Sequence, residues 1–291
     1  MDRPILKIEP TMNPSILLSR SWWKTTLIVV TAVVVMVRLG IWQLDRLEQR
    51  RSFNARVLEQ QAQALLELSG PALQDTHLED MEYRQVVVTG EYDHAHEVVL
   101  RNQVWENELG VHVLTPLKIE DSDQTVLVNR GWIPFEDFQN HDLGKYAEPG
   151  RVLVKGIIRA PQTRPQIGGR ADPIPQRGDP PLLAWNVANV AAIAAQTPYP
   201  LLLVYIQQAP DQNWTRMPYR SLPELELTEG PHMGYALQWF IFATILGVGY
   251  PVYIRREEKT SAKSRNHPGY VQPAAQPLPA TQPKSNDGGK L

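Results

Sequence analysis

The 291-residue chain contains no cysteine. That absence excludes disulfides, thiol nucleophiles, CxxC metal sites and covalent c-type haem attachment. The chain also lacks the G-x-S-x-G, H-E-x-x-H, P-loop and G-x-G-x-x-G signatures, and with them the commonest marks of a hydrolase, a metalloprotease or a nucleotide-binding enzyme. A basic surplus is missing too. The net charge is -2, and between Glu67 and Glu229 23 Asp/Glu stand against 13 Lys/Arg, leaving 8 acids and 16 bases elsewhere. So acidic a centre argues against nucleic acid as a partner.

Two long apolar runs are present, one over residues 22–44 and one over residues 233–254. Each has about the 20 residues a helix needs to cross the hydrocarbon core. Mean hydropathy over the whole chain is negative, so the chain is not a polytopic transporter. The expected organisation is a cytoplasmic tail (1–21), a first span (22–44), a β-rich domain (45–230), a second span (233–254) and a disordered tail (255–291). The central domain is long enough to bury its own core.

Charge sets the expected orientation. Glu224, Glu226 and Glu229 precede the second run; Arg255, Arg256, Lys259, Lys263 and Arg265 follow it. The positive-inside rule places the C-terminus in the cytoplasm. With two spans the N-terminus is inside as well, and the central domain lies outside. A cleaved signal peptide is the competing reading of the first run. Against it, no A-x-A-like site follows, Arg38 can snorkel to the interface, and Trp22, Trp23 and Trp42 fall where an aromatic belt would place them. Asp2 and Glu9 interrupt what would otherwise resemble a mitochondrial transit peptide, so a bacterial plasma membrane is expected.

Between the runs the periodicity changes. Apolar residues recur at three- and four-residue spacing over 45–68, which continues the first helix until Gly70-Pro71 stops it. Alternation at period two then predicts strands over 85–92, 97–101, 111–117, 125–130, 152–158 and 201–206. Asp121-Ser122-Asp123 reads as a hairpin turn, residues 161–181 as a loop, and 186–195 as a short helix. The fold class is therefore α+β: two transmembrane helices flanking an antiparallel sheet or open barrel.

Several motifs invite chemistry. Gln43, in Gly40-Ile41-Trp42-Gln43-Leu44-Asp45-Arg46, is an amide inside an apolar stretch and needs a partner; Gln238 lies at a similar depth in the second run. Val128-Asn129-Arg130-Gly131-Trp132-Ile133-Pro134 puts an arginine and a tryptophan at a glycine bend. His232 opens the second run, with Ala236, Trp239, Ala243 and Gly247 on roughly one face. That face serves either as a small-residue helix contact or as a groove in which a neutral imidazole ligates haem iron. His94-Ala95-His96 has the spacing of two imidazoles on one strand face, without an obvious third ligand.

Taken in order, these motifs resemble the Surfeit-locus-protein-one family of cytochrome c oxidase assembly factors. The resemblance rests on residues 40–46, Gly90-Glu91-Tyr92-Asp93, Thr115-Pro116-Leu117, residues 128–134 and the run from His232 to Phe240, and it covers about residues 22–256. Pro231 and Met233 flank the histidine where the family pattern usually has Asn and Leu. The resemblance implies a non-catalytic factor in oxidase biogenesis, partnered with the oxidase core subunit and other assembly factors and tied to haem a. It suggests His232 as an axial ligand of haem iron, Trp239 and Tyr235 beside the macrocycle, and Arg46 and Arg130 for the propionates. Trp42, Gln43, Asn129, Gly131, Trp132 and Gln238 would be motif or structural residues. Copper delivery, which favours soft thiolates, does not suit a chain without cysteine. The alternative function is a two-span anchor that presents the acidic domain to an extracytoplasmic protein without any cofactor; a membrane hydrolase has no nucleophile–base constellation to support it.

Overall fold

The computed structural model describes residues 17, 19–74, 77–165, 169, 171–173 and 180–265. Residues 1–16 and 18 of the expected tail 1–21, residues 266–291 of the expected tail 255–291, and residues 166–168, 170 and 174–179 of the expected loop 161–181 lie outside the described residues. The chain divides into two compact units, residues 46–230 and a second made of 1–45 with 231–291.

In chain order the elements are α1 (Trp23–Ala62), β1 (Leu66–Glu67), β2 (Gln85–Tyr92), β3 (Val98–Trp105), β4 (Glu108–Ile119), β5 (Thr125–Pro134), α2 (Phe135–Gln139), β6 (Arg151–Arg159), β7 (Ala184–Trp185), α3 (Val190–Ala194), β8 (Leu201–Gln208) and α4 (His232–Arg265). Helix α1 passes through the end of the apolar run without a break, as its spacing predicts. It stops at Ala62 rather than at residue 68. Leu66 and Glu67 instead pair in parallel with Val86 and Val87, and Leu68 is buried in the barrel core. Burying Leu68, roughly 1.5–3 kcal/mol for a leucine side chain, outweighs the small helical preference of this segment.

All six expected strands form. Their pairing is mixed, which corrects the antiparallel expectation. Strands β2, β4, β5, β8 and β6 form a ring, closed by the β2–β4 pairing of Gly90 with Ile119. Neighbours around the ring are antiparallel except β5 and β8, which run parallel. Five strands in this cyclic order form a closed barrel of OB type. Strands β1, β3 and β7 extend its edges, β1 on β2 and β7 on β3 in parallel register. Val86, Val88, Leu117, Val126, Val128, Val154, Ile158 and Ile206 fill the interior. Outside it, Val190 and Ile193 of α3 pack with Trp185 and Leu201. This helix is shorter than the 186–195 expected, because Asn189 accepts from the Ala192 N–H at 3.2 Å and caps it.

The second unit is a helical hairpin. Both α1 and α4 are long and apolar enough to cross a membrane. Gly40 is buried, and a Cβ there would come within 2.7 Å of the Phe240 ring. Ala236 and Ala243 are buried, and Gly247 faces Val33. Small residues thus let the helices approach closely. Helix α4 runs on through Arg265, so residues 255–265 of the expected disordered tail are helical. Arg, Glu and Lys are good helix formers, and here they extend a helix already nucleated by the apolar run.

Candidate functional site

His232 is the first residue of α4 and Gln43 lies on α1. The histidine Nδ1–H donates to the Gln43 side-chain oxygen at 2.9 Å. The amide thus meets His232, not Gln238. Among the described residues Nε2 of this half-buried imidazole has no hydrogen-bond partner. Tyr235, one turn on, is half exposed, and Trp239 packs edge-on against Phe242 with ring centroids 6.3 Å apart. The small-residue face carrying Ala236, Ala243 and Gly247 is helix contact, so it offers no groove for a macrocycle. The flank bearing Tyr235 is left accessible.

These residues fit a haem ligand in one definite respect. A ligating imidazole must be neutral with one ring nitrogen unprotonated, and its other N–H is usually given to an oxygen. The Gln43 contact meets the second requirement, since it gives the Nδ1–H to an amide oxygen. Arg46 is exposed and donates to Gln49 at 2.9 Å within its own helix. Trp42 is largely exposed.

The barrel unit holds a second cluster, which the sequence suggested in part. The register of β4 against β5 slips between Val113–Gly131 and Leu114–Asn129, so Arg130 is the unpaired residue of a β-bulge. Bulges re-aim side chains. Here the guanidinium is driven inside, with no exposure at all. Its Nε donates to Glu148 at 3.2 Å, Nη1 to Glu97 at 2.9 Å and Thr115 at 3.5 Å, and Nη2 to Glu148 at 2.8 Å and to the Tyr146 carbonyl. Every N–H of Arg130 is committed to the domain itself, so it has none to offer a propionate. The guanidinium also lies 4.9 Å from the centre of the Tyr92 ring, whose phenol pKa burial pushes up.

The rest of this motif serves the bulge. Asn129 accepts from the Gly131 N–H and donates to His112 Nδ1, both at 3.1 Å. Burial holds His112 neutral, its pKa lowered to about 4. Gly131 takes φ +122°, and Trp132 stacks on Tyr219 at 6.1 Å. Arg220 meets Glu148 at 3.3 Å and lies over the Trp214 ring at 3.6 Å. The His94-Ala95-His96 segment is a 3₁₀ turn, not a strand. Its imidazoles face separate acids, His94 to Glu97 at 2.6 Å and His96 to Asp93 at 3.1 Å. Groups of three or more His, Asp or Glu able to hold a metal ion are absent among the described residues.

Glu97, Glu148 and Arg220 were not singled out from the sequence as site residues, and Thr115 stood out only as part of a motif. Glu97 and Glu148 stand 33 and 18 residues from Arg130, beyond the reach of local spacing. The usable signal was indirect: a buried-strand pattern around Arg130 calls for carboxylate partners somewhere in the chain.

The class these features define is a closed β-barrel domain bracketed by two long apolar helices. Comparison with known proteins gives that class a family. The SURF1 family model matches residues 30–244. A SURF1-like protein of Caenorhabditis briggsae is 30% identical over 159 residues, 48% of this chain and 49% of that protein. An uncharacterised SURF1-like protein of Mycobacterium bovis is 27% identical over 275 residues, 88% of this chain and 94% of that one. Surfeit locus protein 1 of Xenopus tropicalis is 25% identical over 229 residues, 71% and 68% of the two chains. Against the nematode relatives, the chain spans about half their length. The chain belongs to the SURF1 family.

Proposed function

We propose that this chain is an assembly factor for a haem-copper cytochrome c oxidase and that it binds or guards haem a for insertion into the oxidase core subunit. The observation that carries the haem part is the His232–Gln43 bond, which occupies Nδ1 and leaves Nε2 without a partner among the described residues, on a partly accessible helix flank. Bound there, the haem would supply an iron centre in need of a nitrogen donor and a hydrophobic macrocycle in need of cover. His232 holds the iron, Tyr235 and Trp239 shield the ring from water, and Arg46 attracts a propionate by charge. The partners are the oxidase core subunit and other oxidase assembly factors.

In this reading α1 and α4 cross the plasma membrane, both termini are cytoplasmic, and the barrel projects on the opposite side. Exposed Leu27, Ile28, Val34, Leu237, Ile245 and Val248 suit contact with lipid. The basic cluster after residue 254 supports the orientation. Accessibility labelling of single cysteines placed at the exposed positions Val104 and Leu153 tests it; reaction from the cytoplasmic side alone rejects it.

The haem reading is tested by purifying the full chain from cells that make haem a and recording its absorption spectrum. Haem is expected in the wild type and lost in His232→Ala. An unchanged haem signal in that variant rejects the ligand role. A haem-free wild type, with oxidase assembling normally in a deletion strain, favours a cofactor-free interaction module.

A further inference from the structure

The contact between Gln43 and His232 has consequences beyond joining two helices. The amide oxygen receives the Nδ1 proton, so whenever the ring is neutral it is held in the tautomer whose Nε2 lone pair is directed away from Gln43. Neither chain neighbour of the histidine has a side chain that could do this. Pro231 has no donor and no polar side chain, and Met233 offers a weakly accepting thioether. The partner comes instead from the other helix of the hairpin. Nor is the bond needed to hold the helices together. Gly40 already packs against Phe240, and toward the other end of the hairpin the Tyr250 hydroxyl meets Thr26 Oγ1 at 2.8 Å, while Thr26 donates to the Leu17 carbonyl at 2.7 Å.

From this geometry we infer that Gln43 is a positioning residue for iron ligation by His232: it fixes the tautomer, aims Nε2 and sets the electron-donating strength of the imidazole. The inference rests on the haem reading above. An oxygen acceptor on the distal ring nitrogen raises ligand basicity, and loss of such a partner typically weakens metal binding by about 10–100-fold. A carboxylate in the same place would draw the proton more strongly, make the ring a better donor and favour ferric over ferrous iron.

The test uses the full chain in detergent, loaded with haem a, in four forms: wild type, Gln43→Leu, Gln43→Glu and, as a packing control, Tyr250→Phe. Haem affinity, midpoint potential and the electron paramagnetic resonance spectrum of the ferric form are measured. Gln43→Leu is expected to bind haem a at least about 10-fold more weakly. Its bound fraction should show a higher potential and a broadened spectrum from unaligned rings. Gln43→Glu should keep its affinity and shift the potential downward. Tyr250→Phe should match the wild type in all three. Haem bound by the wild type, with affinity, potential and spectrum unmoved in both Gln43 variants, overturns the positioning role while leaving the ligand role standing. Equal losses in Gln43→Leu and Tyr250→Phe overturn it too, by reducing Gln43 to a packing residue. A wild type that binds no haem a removes the haem reading and this inference together.

Discussion

Arg130 and Glu97 meet at 2.9 Å inside the barrel unit, the guanidinium wholly enclosed and the carboxylate nearly so. The pair exists because a bulge in β5 turns one residue out of register, and because Glu97 sits where the 3₁₀ turn feeds β3. Thr115 donates to the same carboxylate oxygen at 2.7 Å, so the charge is hydrogen-bonded as well as paired.

Removing one partner strands the other. Arg130→Ala should cost about 3–5 kcal/mol, because Glu97 would be left buried without its guanidinium and Glu148 would keep Arg220 alone. Thermal or denaturant unfolding of the full chain in detergent checks this. Arg130→Lys should recover only part of the loss, since one ammonium cannot reproduce five fixed N–H directions. A variant within about 0.5 kcal/mol of wild type would refute the structural role, as that is the range of ordinary surface changes.

Gly131 occupies φ +122°, and a Cβ there would run into the Tyr219 carbonyl. Conformations of this kind cost a non-glycine residue of order 1–3 kcal/mol before any collision is counted. Gly131→Ala is therefore expected to lower the unfolding midpoint clearly and to disturb the Trp132–Tyr219 stack. The near-ultraviolet circular dichroism of the full chain reads out the second effect.

His112 gives the barrel a pH dependence of known sign. Its pKa lies near 4 in the folded state against the 6.5 of an ordinary histidine, since burial disfavours the cation. Between these values the unfolded chain binds more protons, so stability rises with pH through the window. The contribution of His112 is full above about pH 6.5 and falls away as pH drops toward 4. Replacing His112 with Gln should flatten the pH dependence of unfolding in that window. An unaltered slope would show that other groups set it.

The absence of cysteine makes the hairpin directly testable. A Cβ on Gly247 would lie 3.9 Å from Val33 Cγ2. Val33→Cys with Gly247→Cys should form a disulfide under mild oxidation, since a sulfur in the place of Val33 Cγ2 would lie 3.9 Å from the new Cβ, close enough for the second sulfur to reach it. Peptide mapping of the oxidised chain detects the link. Gly40→Val should reduce its yield, because Phe240 leaves that position no room.

Much of this was legible in local pattern. The apolar runs predict two long helices, and alternation predicts β2 to β6 and β8 within a few residues, because both signals depend on near neighbours. The two-residue strands β1 and β7 were not legible. Too short for periodicity to mark, they are strands only because β2 and β3 present edges to them. His232 and Gln43 each stood out as polar groups in apolar surroundings, but their partnership crosses 189 residues. Gln238 was the nearer guess by depth; helix rotation, set by Gly40 and Phe240, selected His232.

The sequence by itself determined the division into apolar helices and an acidic β domain, the exclusion of thiol chemistry, and the family. Composition and periodicity are sums over neighbouring residues and survive without a third dimension. Tertiary structure alone decided that the sheet closes into a mixed barrel, that Arg130 serves the core, and that Gln43 holds the imidazole of His232. Those outcomes depend on pairings between distant segments, where a one-residue slip in register or a rotation about a helix axis exchanges which side chains meet.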